Sequence, residues 1–183
     1  SRTQGMDDKV YETISLQDLY HRTGIQKQMF NSIYQLMAIK EKKPQELEKA
    51  KTFLMIPDYF HFLLCGRKCV EYTNSTTTQL VSPITKTWDM ELIEALGYPK
   101  DIFPEIKMAG TVLGELTAEI AAEVGYICKV VLPATHDTGS AVLAVPSNAP
   151  ETMYISSGTW SLMGIERKYA ECSLKSMKYN FTN

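Results

Sequence analysis

The stretch Tyr126 to Val145, YICKVVLP followed at once by ATHDTGSAVLAV, constrains the fold more than any other part of the chain. YICKVVLP is a continuous run bounded by turn residues and rich in β-branched side chains, the pattern of a strand buried on both faces. Ala141, Val142, Leu143 and Val145 then space out as a helix. Strand, polar loop and helix in direct succession make an α/β crossover, and such units gather ligands at the loop beyond the strand's carboxyl end. The loop here is Thr135-His136-Asp137-Thr138.

Upstream, the first two thirds of the chain read as mostly helical. Asn31 or Ser32 can cap a helix running through Lys40, with Ile33, Leu36, Met37 and Lys40 on one face. Pro44 opens a second, with Leu47, Ala50, Phe53 and Leu54 at helical spacing. A third starts at Pro57 and stops at Gly66, a left-handed C-terminal cap. Its aromatic run Tyr59, Phe60 and Phe62 reads as packing rather than ligand stacking. CVEYTNSTTTQLVSPI, from Cys69 to Ile84, lacks a helical period and reads as extended chain and turns. Thr87 can cap a helix from Trp88 to Leu96 closed by Gly97, and another runs from about Thr117 to Val124, closed by Gly125. Pro146-Ser147-Asn148-Ala149-Pro150 breaks the pattern and marks a boundary, with a second, β-rich unit beyond it.

Composition narrows the function classes. The chain has 183 residues and a net charge of -2, which offers no general attraction to nucleic acid or an anionic membrane. No apolar stretch approaches the ~20 residues of a spanning helix, and no basic-then-apolar leader is present. The cysteines Cys65, Cys69, Cys128 and Cys172 lack the second close pair of a zinc site, so no metal site is expected. The glycosylation triplets at Asn74 and Asn180 are read as chance matches, and a reducing, cytoplasmic setting fits. Ser1-Arg2-Thr3-Gln4 and the final Asn180-Phe181-Thr182-Asn183 suggest a piece of a longer protein.

Two places can carry chemistry. Asp137 stands at the mouth of a helix, where it reads either as an N-cap or as a functional carboxylate, and the two roles are compatible. His136 beside it is weaker evidence, since loop histidines commonly bond only to backbone. The second place is YISSGTWSLMGIE, Tyr154 to Glu166, two apolar runs meeting at Ser156-Ser157-Gly158-Thr159. Gly158 tolerates positive φ, and the hydroxyls add donors to exposed N–H groups, a combination suited to phosphate or to a plain tight turn. The tip is neither a Walker loop nor a nucleophile elbow. An acidic loop, a proline-bounded junction and a hydroxyl-rich hairpin in close succession suit phosphoryl transfer between two domains.

HRTGIQKQMFNSIYQL, MIPDYFHFLLCG, EYTNSTTTQLV, THDTGSAVLAVP and YISSGTWSLMGIE together resemble the FGGY carbohydrate kinases over essentially the whole chain. EYTNSTTTQL, HDTGSAV and SSGTWSLMG resemble the branch acting on rhamnulose. The resemblance implies a truncated portion of an actin-like, ribonuclease-H-like α/β fold of two domains closing over a cleft. Residues 1–146 would be the end of the first domain and 147–183 the beginning of the second. It also implies ATP as co-substrate with Mg²⁺, and transfer of the γ-phosphoryl group to the 1-hydroxyl of L-rhamnulose. Asp137 matches the family's catalytic base, while His136, Asp137 and Thr138 match its sugar-binding triplet. Gly158 and Thr159 match its nucleotide-phosphate contact. Asn74 to Thr77 fall in a family segment near the cleft, without assigned contacts.

The family's N-terminal phosphate hairpin and later adenine-binding part have no counterpart here, so the piece alone is expected to lack kinase activity and to need the remainder of its own chain. Other readings stay open: another FGGY specificity such as xylulose, fuculose or glycerol, a hydrolase with a metal on His136 and Asp137, or a relative without catalysis. The hydrolase finds no matching ligands in His21 and His61, which lie in helical segments.

Overall fold

Helix-forming segments fill the first half of the chain and are set by local end signals. A computed structural model describes residues 2–147, 149 and 151–183. Met6–Tyr11 forms α1 and Leu16–Thr23 forms α2, whose N-terminus is closed by Ser15 Oγ accepting the N–H of Asp18 at 3.1 Å. Ser32–Lys42 is α3 behind Asn31, and Pro44–Lys49 is α4. The second helix is shorter than its spacing predicts. It ends at Lys49, and Phe53 and Leu54 reach the core from non-helical chain, with Phe53 N–H donated to the Ile102 carbonyl. Ile56–Cys65 is α5, closed as expected by Gly66 at φ 70°.

Val70–Glu71 forms β1 and leads directly into α6, Tyr72–Thr76. The sequence reading had only extended chain and turns here. Helix forms because the Glu71 side chain accepts from the N–H groups of Thr73 and Asn74, satisfying donors that the first turn otherwise leaves free. Met90–Ala95 is α7, and its cap is Asp89 rather than Thr87. A 3₁₀ turn at Lys100–Ile102 precedes β2, Ile106–Lys107, which pairs in parallel with β1. Val112–Glu115 is β3, Ala118–Val124 is α8 and Lys129–Val131 is β4; Thr117 and Gly125 close α8 as expected. Asp137–Leu143 is α9, Met153–Ser157 is β5, Ser161–Ile165 is β6 and Leu174–Lys178 is α10.

Helices α1, α3 and α7 enclose the core with β1 and the chain after α6. Val10, Ile33, Tyr34, Val70, Leu80 and Ile93 are all fully buried, and each such aliphatic side chain contributes about 2 kcal/mol of hydrophobic stabilisation. Polar ends are satisfied within it, since the Tyr98 hydroxyl donates to the Ile33 carbonyl at 2.7 Å.

The strand expected to be buried on both faces is not. β4 covers three residues and, among the described residues, pairs antiparallel with β3 alone; Val130 is buried while Ile127 and Val131 are exposed. Likewise α5 buries Asp58 but turns Tyr59 and Phe60 outward, against the packing expectation.

Beyond the proline-rich break, of which Asn148 and Pro150 lie outside the described residues, the expected hairpin forms with β5 antiparallel to β6. It leans on the first unit through Trp160, edge-on to Phe30 at 6.4 Å between centroids. The last residues return to α2: the Tyr20 hydroxyl donates to the Phe181 carbonyl at 2.8 Å, and Asn183 N–H donates to the Gly24 carbonyl at 3.0 Å.

Candidate active site

The loop 134–137 is held from beneath by a carboxylate that the sequence reading passed over. Glu71, fully buried at the end of β1, accepts from Thr73 N–H at 2.9 Å and Thr73 Oγ1 at 2.5 Å. It also accepts from Asn74 N–H at 3.1 Å, and from Thr135 N–H at 3.1 Å and Thr135 Oγ1 at 3.0 Å. His136 N–H is donated to Thr73 Oγ1 at 3.3 Å. Burial pushes the Glu71 carboxyl up, but the Thr73 hydroxyl and the N–H groups of Thr73, Thr135 and Asn74 outweigh it and hold the group below its ordinary value.

That clamp settles the geometry of the predicted triplet. His136 occupies the cap position of α9 without a side-chain cap bond, and Asp137 is the first helical residue rather than the N-cap. Asp137 is exposed, and its Oδ1 accepts the neighbouring Thr138 N–H at 2.6 Å. His136 and Thr138 are half-buried on either side. Three polar residues thus follow one another at the start of α9, with Asp137 Oδ1 already accepting one of the first-turn N–H groups, that of Thr138.

Gly158 and Thr159 lie exposed together at the hairpin tip. The tip differs from expectation in one respect: the φ of Gly158 is outside the left-handed region. Its N–H is donated to the Trp160 carbonyl at 2.8 Å, closing the turn. Ser157 and Ser161 share a hydroxyl contact at 3.3 Å across the strands. Helix α9 packs on β5, with a crevice of about 130 Å³ between them lined by Ala141, Val142, Val145, Tyr154, Ile155 and Ser156. Asp137 and Gly158-Thr159 do not line it. Packing of α9 on β5 is what links the two elements; the crevice between them is shared by neither Asp137 nor the hairpin tip.

Under the loop, Asp58 on α5 accepts the Glu71 N–H at 3.0 Å. Burial pushes its carboxyl up to about 6, with the N–H groups of Glu71 and Met55 opposing. His61 lies one turn on, its pKa lowered by burial and partly restored by Glu71. Neither acid carries a sequence signal for this role, since only the pairing of β1 with the later loop shows which buried carboxylate meets which donors. Among the described residues no group of His, Cys, Asp or Glu side chains could hold a metal ion as a cluster.

Residues 1–144 match the family model described as the FGGY family of carbohydrate kinases, N-terminal domain. The chain belongs to the FGGY family of carbohydrate kinases. It is 57% identical to a rhamnulokinase of Halalkalibacterium halodurans, over 100% of this chain and 39% of that protein. A rhamnulokinase of Oceanobacillus iheyensis is 53% identical over 100% of this chain and 38% of its own length. The chain thus spans under two-fifths of these relatives. A solved xylulose kinase from Rhodospirillum rubrum aligns with a TM-score of 0.75 at 22% identity, covering 85% of this chain and 32% of that one. A ligand-bound xylulose kinase from Lactobacillus acidophilus gives 0.67 at 25% identity, covering 73% and 28%. This FGGY chain carries part of the actin-like α/β fold of those sugar kinases.

Proposed function

We propose that the complete protein is an ATP-dependent kinase that phosphorylates the 1-hydroxyl of L-rhamnulose. The observation that carries this reading is the exposed Asp137 carboxylate at the N-terminus of α9, directly after a clamped loop, in a chain so similar to rhamnulokinases. Asp137 serves as general base, orienting the attacking hydroxyl and taking its proton as the bond to phosphorus forms. His136 and Thr138 flank it as sugar contacts. Gly158 and Thr159, both exposed at the hairpin tip, meet the phosphates. Phosphoryl transfer asks chiefly for positioning and charge neutralisation, which such groups supply.

Carbohydrate kinases use ATP, generally with Mg²⁺. The residues at hand fit a metal that arrives with the triphosphate, because Mg²⁺ needs only one or two carboxylates beside phosphate oxygens and water. We assign no residue of this chain to the metal, since Asp137 is taken as the base. We place the domain boundary in 147–150, with 1–146 closing the first domain and 147–183 opening the second. The residues described here, alone, are inactive in this reading, and the remainder of the chain completes the site. No helix among the described residues is long and apolar enough to cross a membrane, in keeping with a cytoplasmic enzyme.

The test is an ATP-coupled assay of the full-length protein on L-rhamnulose, xylulose, fuculose and glycerol, with Asp137→Asn alongside. L-rhamnulose is expected to be preferred, and the variant to lose about 10²–10⁴-fold in kcat while remaining folded. Preference for another acceptor would replace the substrate, and an active Asp137→Asn would remove the base.

A further inference from the structure

We propose that Glu71 and Thr135 form a positioning pair that fixes the backbone of the phosphoryl-transfer loop and thereby aims Asp137. The inference rests on the kinase reading above and assigns a role to residues that never touch substrate in it. Glu71 lies 64 residues before Thr135, yet one of its oxygens, Oε2, accepts both the N–H and the hydroxyl of that residue. Thr73, itself bonded to both Glu71 oxygens, passes the restraint on by accepting the N–H of His136. The backbone is therefore pinned at the two residues immediately before Asp137, on a carboxylate with 0% exposure.

The chemistry favours a carboxylate over any neutral group. Every polar atom facing Glu71 in these bonds is a donor, so the residue must accept at both oxygens. Glutamine of the same shape cannot do so, because its NH₂ would face an N–H or hydroxyl and leave a buried donor unpaired. Ser140, one turn into α9, adds a second tie through its hydroxyl to the Ala134 carbonyl at 2.8 Å. The loop is thus bonded on both sides of Asp137, while Asp137 itself stays exposed. A reacting hydroxyl must meet the base within about 3 Å, and a displacement on the order of 1 Å can cost about 100-fold in rate.

The experiment uses the full-length protein and four variants: Glu71→Gln, Thr135→Val, Thr135→Ser and the double variant of Glu71→Gln with Thr135→Val. Thr135→Val removes one hydroxyl from a half-buried loop and tests the pair even where Glu71→Gln fails to fold. Its kcat is expected to fall about 10- to 100-fold with KM for ATP and melting temperature unchanged. Thr135→Ser, which keeps the hydroxyl, restores most of the turnover. Deuterium uptake of residues 134–138 quickens in Thr135→Val by about tenfold. The double variant loses less than the product of the single losses, since both remove one interaction. A wild-type protein that turns over while Thr135→Val keeps full kcat and unchanged uptake overturns the positioning pair alone. A folded wild type that phosphorylates no sugar overturns the kinase reading and this role with it.

Discussion

Asp58 Oδ1 accepts the backbone N–H of Glu71 at 3.0 Å, so two buried acidic residues, exposed by 1% and 0%, are joined next to the loop that carries Asp137. Their environments drive them apart. Asp58 is dominated by burial, which the N–H groups of Glu71 and Met55 only partly oppose, whereas Glu71 is ringed by donors.

Asp58 should make stability fall with rising pH. Its folded pKa of about 6 lies above the ordinary 3.8, so the native state holds its proton more tightly than the unfolded chain. Its contribution is fully present below 3.8 and is lost as pH rises toward 6. Glu71 acts oppositely, losing its contribution as pH drops below its ordinary 4.5. Asp58→Asn is expected to flatten the loss above pH 4 and to gain about 1–2 kcal/mol at pH 8, measured by urea unfolding across pH. An unchanged slope would refute this.

Asp89 combines two jobs. It caps α7 by accepting Leu92 N–H at 3.0 Å, and it receives Arg22 Nε and Nη2, both at 2.6 Å. Asp89→Ala should cost about 1–2 kcal/mol, because it removes the cap and breaks the fork, leaving the part-exposed guanidinium with Glu91 alone of the two acids. Asp89→Asn retains the capping oxygen and should cost less. Arg22→Lys, which cannot reproduce the fork, should fall between wild type and Asp89→Ala in denaturation midpoint. Equal midpoints for Asp89→Ala and Asp89→Asn would show that the cap contributes nothing.

Gly24 and Gly66 share nearly the same backbone, at φ 69° and 70°, but differ in surroundings. A Cβ on Gly24 would lie 2.9 Å from Cys172 Sγ and 3.0 Å from Asn183 Cβ, while one on Gly66 meets nothing within 4 Å. Gly66→Ala should cost about 1 kcal/mol from left-handed strain alone. Gly24→Ala should cost more and also release residues 171–183 from α2, seen as faster proteolysis or deuterium uptake there. Matching costs would mean that the terminal segment is not held at Gly24.

Gly158 has neither positive φ nor a crowded Cβ position, whose nearest neighbour is the Trp160 carbonyl oxygen at 4.0 Å. Gly158→Ala should therefore change stability by less than about 0.5 kcal/mol. If the tip meets the triphosphate, as proposed, the added methyl should raise KM for ATP in the full-length protein about tenfold, or ~1.4 kcal/mol. An unchanged KM would move the phosphate contact elsewhere.

Local end signals were readable because each is a contact within a few residues. Pro57 with Gly66, Thr117 with Gly125, and the hairpin from Tyr154 all involve neighbours along the chain. The strand–loop–helix order around Asp137 was readable for the same reason. Where a distant partner decides, the reading failed. Phe53 lies past the end of α4 and donates its N–H to Ile102, and β4 stays half-exposed with β3 as its one partner strand among those described. α6 was missed although its cap, Glu71, is local, because glutamate is not a usual capping residue.

The amino-acid sequence by itself determined the family, and it nominated the residues proposed for its chemistry, Asp137 with His136 and Thr138, Gly158 with Thr159. Side-chain type and spacing are properties of the chain, independent of its path. Only the tertiary structure decided that Glu71 anchors Thr135 and that Asp58 lies behind it, because those residues meet across β1 and the loop after β4. Burial and donor geometry exist only once the chain has closed on itself, and they turn an ordinary glutamate into the support of a loop.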